Sequence, residues 1–550
     1  MSGEERDKTL AMKIERVACV LAVAGSIGCR SSGDAPSLAA LDASASVDAG
    51  MPVAPGWSQL GDAAAAAPSS RLLGHNAIWS RGGLGLWNDT THAADPTVAS
   101  LVAALHPGVL RFPGGTRAMR YHFAEAIGPL ASRVPQCDSF SGTTDATGYG
   151  VDEFMTIAES LGAKVTLVTP WVDGSPQEAA AFVAYVNAAT SSTFALGVDP
   201  SGTDWGTAGS WAQKRAANGH AAPYGVAFVE IGNEPYSSLA TGPKTSCGRA
   251  SQFKQDERWV NGVAIPTTAK DYATQLALTA TLVRGVDPAI RIGAPVPATY
   301  DGTSDAAKAL GDFDLATNDG DAWTPRLLAD AASAFDFFVL HPYDFTTSDA
   351  RLELAEDLRK AIRDLRAVAP SKGIGVTEFG FLLDGDTVLD AIVSADVVRV
   401  ALEEDVELVT RHVLIEDDLG EPFASNALIG GASHRLSPAY AVEEKLAAIV
   451  AGAKLVPVAQ PRADVVVLAL AESDGSIGIV ALDRRDNPTD ETDLAVELPS
   501  GAWHGTVDTF APSSSILDTV SDSASATVAA SGALSLHVSS NGIVIAHLQD

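Results

Sequence analysis

The chain is poor in positive charge. Its 550 residues carry 37 Lys and Arg against 68 Asp and Glu, which gives a formal net charge of −31. Nucleic acids and anionic membrane surfaces are bound by clustered Lys and Arg, so this balance argues against either as a partner. An uncharged substrate is compatible with such a surface.

Cysteine is also scarce, with four in the whole sequence. Cys19 and Cys29 fall in the N-terminal segment, which leaves Cys137 and Cys247 for the folded part. In an exported protein these two either form one disulfide or remain unpaired thiols, and the sequence leaves both readings open. There is no CxxC pair, His/Cys cluster or H-E-x-x-H motif, so no metal or other cofactor is predicted.

The apolar run near the N-terminus is too short for a comfortable transmembrane helix. Counted from Met12, a basic segment precedes the apolar residues 17–27, and Gly28-Cys29 follows. Residues 1–29 therefore resemble a bacterial lipoprotein signal with lipidation at Cys29, and ordinary secretion is the alternative. We expect an exported protein, lipid-anchored at the outer membrane or cell surface or otherwise secreted, whose only membrane contact is the anchor.

Residues 30–70 contain almost no aromatic side chains and consist mainly of Ala, Ser, Asp, Gly and Pro. Such a segment cannot bury enough apolar surface to fold, so it is predicted to be a disordered tether. The apolar content of 46% is sufficient for a core in the rest of the chain. Its length favours one large domain and a smaller one.

Short apolar runs alternate with helical patterns between residues 71 and 452. Eight strand candidates follow, at residues 75–79, 108–112, 164–168, 226–231, 290–294, 335–340, 373–378 and 407–415. Eight strands alternating with helices indicate an α/β fold, a (β/α)8 TIM barrel, with an open doubly wound sheet as the alternative. Helical periodicity stops near Leu455, and the short alternating segments of residues 453–550 predict an antiparallel β-sandwich.

Two of the strand candidates end in a carboxylate. "VEIGNEPY" places Glu234 at the end of the fourth candidate, directly after Asn233, and "GVTEFG" places Glu378 at the end of the seventh. The C-terminal strand ends of a barrel form one face, so the two carboxylates are expected to meet there. Either Glu alone would also suit a surface carboxylate that caps a helix. As a pair they are what glycoside hydrolysis with retention requires.

Several segments, in order along the chain, resemble glycoside hydrolase family 51, the α-L-arabinofuranosidases of clan A. They include "GVLRFPGGTRAMRYHFAEAIGP", "VEIGNEP", "FDFFVLHPYDF" and "LSPAYAVEEKLAAI", and the resemblance runs from about residue 74 to the C-terminus. It implies that Glu234 is the general acid/base and that Glu378 is the nucleophile. It also implies that Asn233 hydrogen-bonds the 2-hydroxyl of the sugar.

The same resemblance implies further substrate-binding residues. Arg111 would lie against the nucleophile, where a cation keeps the carboxylate ionised. His341 and Tyr343 follow the sixth strand candidate and would hydrogen-bond the nucleophile or the sugar. Aromatic side chains near strand ends, Trp171 and Tyr236 among them, either stack on a sugar face or belong to the core of the barrel rim.

The chain also departs from the family pattern. Thr116 stands where the family has Asn after "PGG", the first strand region lacks an acid, and the nucleophile lies in "TEFGF" rather than "DEW". The predicted function is a retaining glycosidase of polysaccharide or oligosaccharide, most similar to α-L-arabinofuranosidases. Another clan A glycosidase, such as an endo-β-glucanase or a β-xylosidase, is the second reading. A non-catalytic glycan-binding surface lipoprotein is the third.

Overall fold

A computed structural model describes residues 57–60, 73–237, 240–241, 253–297, 323–343, 348–380, 388–416, 427–458, 460, 464–484, 492–512, 519–528 and 533–550. Two predicted features lie outside these residues: the signal-like segment that contains Cys29, and Cys247. Residues 53–550 form one compact unit. Among the helices within the described ranges, none combines the length and the apolar character that crossing a membrane requires.

Eight parallel strands form the central sheet. They are β1 (Gly74–Asn76), β2 (Val109–Phe112), β3 (Lys164–Val168), β4 (Phe228–Glu230), β5 (Arg291–Pro295), β6 (Phe337–Leu340), β7 (Gly373–Val376) and β8 (Leu408–Val409). The strands pair in chain order, and a parallel bridge between His75 and Arg411 joins the last strand region back to β1. The sheet is therefore a closed barrel. The (β/α)8 prediction is confirmed, and the open-sheet alternative is wrong.

The segments between the strands form helices. They are α1 (Pro96–Ala104), α2 (Val151–Leu161), α3 (Pro176–Asn187), α4 (Ala208–Ala217), α5 (Ala269–Val286), α6 (Trp323–Ala331), α7 (Ser348–Val368), α8 (Val388–Glu403) and α9 (Pro438–Val450). Asp95 caps α1 by accepting from N–H groups of its first turn. Ser175 caps α3 in the same way. Both α1 and α3 begin with Pro, whose missing N–H costs nothing at the first helical position.

Alternation along the strands divides the barrel interior into two layers. The lower layer is an apolar cluster of Val109, Phe228, Phe337, Val339 and Leu408. Two residues further along the same strand segments stand Arg111, Glu230, His341 and Thr410. Successive side chains of a strand point to opposite faces, so residues two apart share a face. The interior therefore changes from apolar to polar toward the C-terminal strand ends, where the predicted site lies.

The C-terminal part contains two sheets. Its strands are β9 (Lys454–Val456), β10 (Val465–Ala471), β11 (Ile477–Asp483), β12 (Thr492–Glu497), β13 (Trp503–Pro512), β14 (Thr519–Val528), β15 (Ala533–Val538) and β16 (Ile543–Gln549). One sheet has the antiparallel order β9-β10-β11-β16-β13-β14, and β12 pairs with β15 in the other. Side chains of both sheets form one hydrophobic cluster. This is the arrangement of a β-sandwich.

Strand β10 joins the sandwich to the barrel. Val465 and Val467 belong to the cluster between the two sheets. Val466 and Leu468, on the opposite face, belong to the large core that also contains Leu446 of α9. Because both faces of β10 are buried, its sequence is a continuous apolar run rather than an alternating one. This shared core supports a structural role for the sandwich.

The predicted tether differs from the structure at residues 57–60. Trp57–Gln59 forms a short strand that pairs in parallel with β12, and Leu60 bridges to Val458. The edge of β12 offers backbone N–H and C=O groups to any extended segment that reaches it, and composition alone does not report such a partner. The other residues of the 30–70 segment lie outside the described residues.

Candidate active site

The two predicted carboxylates meet at the C-terminal face of the barrel. Glu234 follows β4, and Glu378 follows β7. A carboxylate oxygen of each and a ring nitrogen of His341, which follows β6, all lie within 4.8 Å of one another. Retaining glycosidases hold their two carboxyl groups about 5–5.5 Å apart, whereas inverting enzymes separate them by about 6.5–9.5 Å. The geometry therefore suits retention.

Glu378 is held by side chains from two other strands. Arg111 Nη1 donates to its Oε1 at 2.6 Å, and the Tyr343 hydroxyl donates to its Oε2 at 2.9 Å. The Nδ1 atom of His341 lies 3.9 Å from the same Oε2. These contacts fix both carboxylate oxygens in a side chain that is only 6% exposed.

The surroundings of Glu378 favour its ionised form. Burial by itself raises the pKa of the Glu378 carboxyl, but the charges of His341, His412 and Arg111 outweigh burial and lower this pKa to about 2. Arg111 makes the contribution that persists at neutral pH, because a guanidinium is charged at every physiological pH. Glu378 is therefore an anion in the form that a nucleophile requires.

Arg111 is the centre of the polar layer inside the barrel. Its buried guanidinium donates to Glu230 through Nε at 3.0 Å and to Glu378 through Nη1. It also donates to Asn76 Oδ1 at 2.7 Å and to Asn233 Oδ1 at 2.9 Å. Burial opposes the charge of Arg111, but Glu230 and Glu378 outweigh burial and raise the pKa of Arg111 above its ordinary value. One cation thus serves two carboxylates and orients two amides.

Glu234 is more accessible than Glu378, with 17% of its side chain exposed. Its Oε1 lies 3.0 Å from His341 Nδ1, and its Oε2 accepts from Gln255 Nε2 at 2.9 Å. Its backbone φ of 43° lies in the left-handed region, which non-glycine residues seldom adopt. Such strain is concentrated at functional sites, where the surrounding structure enforces it. Accessibility and placement both suit a group that exchanges a proton with a bound molecule.

The site also contains three side chains of types that can bind a metal ion. Glu234, His341 and Glu378 form a group of metal-ligating residues in the described part of the chain. However, the 3.0 Å contact between His341 Nδ1 and Glu234 Oε1 is a hydrogen-bond distance. A proton is sufficient to hold this pair together, so the site's geometry does not require a cation.

Sequence reasoning missed Gln255. It lies in a turn before the hairpin formed by Glu257–Val260 and Val263–Pro266. Its Oε1 accepts from Asn233 Nδ2 at 2.9 Å while its Nε2 donates to Glu234. Because the segment after β4 has no recognisable pattern, nothing in the sequence indicated that this amide would reach the site.

His412 was also missed, although it follows β8 as His341 follows β6. A Cβ atom built on Gly115 would lie 2.7 Å from His412 Cε1 and 3.4 Å from Glu378 Oε1. Gly115 also has a φ of 53°, so only glycine lets the chain after β2 approach this closely. Burial lowers the pKa of the His412 imidazole. A His three residues beyond the end of a barrel strand was the signal that could have identified this residue.

Two predicted sugar-stacking side chains are core residues in the structure. Trp171 and Tyr236 are each only 4% exposed. The Trp171 indole donates to Thr267 Oγ1 and packs against Tyr272, while the Tyr236 ring packs edge-on against Trp323. With both rings covered by protein, little surface is left to stack on a sugar. This burial favours the alternative reading, in which both side chains belong to the core of the barrel rim.

The remaining predicted residues are placed as follows. Asn233 is 1% exposed and lies between Arg111 and Gln255. Cys137 is disulfide-bonded. Its predicted partner Cys247 lies outside the described residues, so this pairing stays a prediction.

Residues 101–260 match the family described as "Alpha-L-arabinofuranosidase 1 domain". This range includes Arg111, Asn233 and Glu234, three of the residues that form the site. The chain is a divergent relative of the family 51 arabinofuranosidases. Its match to the intracellular exo-α-(1→5)-L-arabinofuranosidase 1 of Bacillus subtilis (strain 168) is 25% identical over 195 residues. That match covers 36% of this chain and 31% of the Bacillus protein, about a third of each.

Solved structures of arabinofuranosidases share the fold of this divergent relative over nearly its whole length. The family 51 arabinofuranosidase from Xanthomonas axonopodis pv. citri matches with a TM-score of 0.66 and 19% identity, over 90% of this chain and 99% of that one. The α-L-arabinofuranosidase from Thermotoga maritima matches with a TM-score of 0.65 and 18% identity, over 89% and 99%. At sequence identities this low, the structural similarity shows a shared fold and nothing further.

Proposed function

We propose that the chain is a retaining glycoside hydrolase, similar to α-L-arabinofuranosidases, that acts on a polysaccharide or oligosaccharide. One observation carries the proposal: the carboxylates of Glu234 and Glu378 face each other within 4.8 Å at the C-terminal end of the barrel. This separation is shorter than the roughly 6.5–9.5 Å by which inverting enzymes separate their two carboxyl groups, and it suits direct attack by one carboxylate.

In the first step, Glu378 attacks the anomeric carbon. The glycosidic bond breaks, its electron pair stays on the leaving oxygen, and a proton from Glu234 neutralises that oxygen. Arg111 and Tyr343 hold the attacking carboxylate through one oxygen each. Asn233 has two amide protons, and Gln255 takes one of them, so the second is available for the sugar 2-hydroxyl.

In the second step, water attacks the anomeric carbon of the sugar ester on Glu378. Glu234, now a carboxylate, removes a proton from this water, and the bond to Glu378 breaks so that the nucleophile is an anion again. Two inversions at the same carbon give overall retention. The step needs no cofactor.

The arabinofuranosidase assignment has support from the family match and from the named activity of the Bacillus relative. A second candidate, another clan A glycosidase such as an endo-β-glucanase or a β-xylosidase, is favoured by Thr116 and by the lack of an acid at β1. Neither departure removes Glu234 or Glu378. The chemistry is common to both candidates, and the sugar distinguishes them.

The test is hydrolysis of nitrophenyl arabinofuranoside, xyloside and glucoside and of matching polysaccharides. We expect release from the arabinofuranoside, and its loss in Glu378→Ala and in Glu234→Ala. Glu159→Ala is the matched control, because this glutamate on α2 is 47% exposed and pairs only with His220 in the described contacts. Added azide should restore nitrophenol release to the Glu234→Ala variant, since a good leaving group needs no acid and azide replaces the activated water.

Three other outcomes would change the assignment. Release from the xyloside or glucoside but not from the arabinofuranoside would favour the second candidate. Hydrolysis of polymers alone would favour an endo-enzyme. A folded wild type that binds glycan and cleaves none of these substrates would support the non-catalytic glycan-binding reading.

We also propose that the protein is exported and anchored through a lipid on Cys29. The basic, apolar and Gly28-Cys29 pattern counted from Met12 supports this. Metabolic labelling with a radioactive fatty acid should mark the wild type and not Cys29→Ser. Unlabelled wild type in the culture medium would instead indicate ordinary secretion.

A further inference from the structure

A chain of hydrogen bonds runs from Glu234 into the barrel floor. His341 Nδ1 lies 3.0 Å from Glu234 Oε1, and its Nε2 lies 3.0 Å from Thr377 Oγ1. The Thr377 hydroxyl in turn donates to Glu230 Oε2 at 3.2 Å. All of these groups except Glu234 are almost completely buried. We call the series Glu230, Thr377, His341 and Glu234 the relay.

The direction of the relay is set by its buried end. Glu230 Oε2 lies 2.9 Å from Arg111 Nη2 in a buried ion pair, and it accepts the proton of the Thr377 hydroxyl. The Thr377 hydroxyl has one proton, and it is used for Glu230. The hydroxyl oxygen must therefore accept from His341, which requires a proton on Nε2.

With Nε2 protonated, a neutral His341 has its lone pair on Nδ1. That lone pair faces Glu234 Oε1, so a proton must lie between these two atoms for the 3.0 Å contact to be a hydrogen bond. If Glu234 were ionised and His341 neutral, two acceptors would face each other in a buried site. With His341 neutral, that proton is carried by Glu234, the group that must deliver it to the leaving oxygen.

We propose that Thr377 is a positioning residue, which with Glu230 fixes the Nε2–H form of His341 and so keeps the acid/base Glu234 supplied with its proton. This inference rests on the proposed function and deepens it. The proposal gives a role to Glu230, which lies four residues before Glu234. In the described hydrogen bonds, Glu230 contacts neither Glu234 nor Glu378.

Other groups face His341 and do not replace the relay. Glu378 Oε2 lies 3.9 Å from Nδ1, beyond hydrogen-bond distance. The Tyr343 hydroxyl donates to Glu378, and Arg111 donates to Glu378 and Glu230. In the described contacts, Thr377 is the hydrogen-bond partner of His341 Nε2.

The test compares Thr377→Val with Thr377→Ser. Valine keeps the shape of threonine and removes the hydroxyl, whereas serine keeps the hydroxyl. Thr279→Val is the matched control, because this buried threonine on α5 donates only within its own helix, to Gln275. The substrates share the sugar that the wild type accepts and differ in the leaving group, a dinitrophenol in one and a sugar or simple alcohol in the other.

We expect Thr377→Val to lower kcat/KM for the unactivated substrate by roughly tenfold to a hundredfold, at or below the lower end of the 10²–10⁴-fold that general acid catalysis contributes. For the dinitrophenyl glycoside, which leaves without a proton, the loss should be under about threefold. Thr377→Ser should restore most of the activity. Equal losses on both substrates, or a Thr377→Ser variant as impaired as Thr377→Val, would overturn the proposal.

A second measurement does not depend on activity. Nitrogen-15 NMR of the histidine side chains, with His341→Gln to assign the signal, should show a protonated Nε2 in the free wild type. A His341 protonated on Nδ1, whether alone or together with Nε2, would refute the relay even in an active enzyme. If the wild type cleaves no glycoside but His341 carries the Nε2 proton, the proposed function fails and the hydrogen-bond direction stands.

Discussion

Replacement of Glu378 with Gln tests the electrostatics of the site without any substrate. The folded pKa of about 2 lies below the ordinary value of 4.5 for this carboxyl. A difference of about 2.5 pH units corresponds to about 3 kcal/mol, at about 1.4 kcal/mol per unit. Solvent screening removes little of this value, because the side chain is 6% exposed. Gln has nearly the same shape but cannot ionise.

The sign of the effect follows from the lowered pKa. The ionised Glu378 stabilises the fold fully above pH 4.5, and this stabilisation is lost as the pH falls toward 2, because protons then bind the unfolded chain before the folded one. The variant has no such contribution. The difference in free energy of unfolding between wild type and Glu378→Gln should be constant from pH 7 to pH 5 and should shift by about 2 kcal/mol against the wild type between pH 5 and pH 3.

The assay is urea unfolding of both proteins, followed by circular dichroism at each pH and extrapolated linearly to zero urea. Glu159→Gln is the control, since an exposed carboxylate should give a nearly pH-independent difference. If the difference for Glu378→Gln were also flat from pH 7 to pH 3, Arg111 and the two histidines would not hold the carboxyl in its ionised form. Glu378 would then lack the stabilised anion that its proposed role as nucleophile requires.

Three further predictions concern other parts of the molecule. Tyr343→Phe removes a hydrogen bond of about 1.5–3 kcal/mol from the ionised Glu378, so the acidic limb of the kcat/KM profile should move up by about 1 pH unit or more; an unmoved limb would contradict this. Gln255→Ala removes the amide that donates to Glu234, the proposed acid/base, and we expect a loss in kcat of about tenfold with little change in Tm. An unchanged kcat would show that this contact does not contribute to the reaction. Leu468→Ala, in the core that the barrel and sandwich share, should cost about 2–5 kcal/mol, against about 0.5–1.5 for Ile479→Val inside the sandwich. Calorimetry should show a single transition for Leu468→Ala, whereas two transitions would mean that the sandwich folds independently.

The strands of the barrel could be predicted because each is a short apolar run bounded by helix signals. The run at 164–168 coincides with β3, and the other seven overlap their strands. The strand ends were predictable for the same reason, so the meeting of Glu234 and Glu378 followed once the barrel was assumed. Periodicity and turn residues are local properties, and these elements depend mainly on local properties.

The rest of the site depends on contacts between distant residues. Glu230 lies within an apolar run, and only the closed barrel shows that it faces Arg111, 119 residues away. Gln255 reaches the site from a segment without a pattern. For Trp171 and Tyr236, an aromatic residue near a strand end gives the same sequence signal whether it stacks on a sugar or packs into the core, and burial decides which.

The two carboxylates on Arg111 have a consequence for the whole reaction cycle. When Glu378 becomes an ester in the proposed mechanism, it ceases to be an anion. If Glu378 were the sole anionic partner of Arg111, the buried guanidinium would then be an unpaired charge, a state that costs several kcal/mol. Glu230 takes no part in the proposed bond changes and stays paired with Arg111 at 2.9 Å. The Arg111 guanidinium therefore keeps Glu230 as its counter-ion at every stage. The covalent intermediate can form without leaving a buried positive charge that water or the sugar would have to solvate.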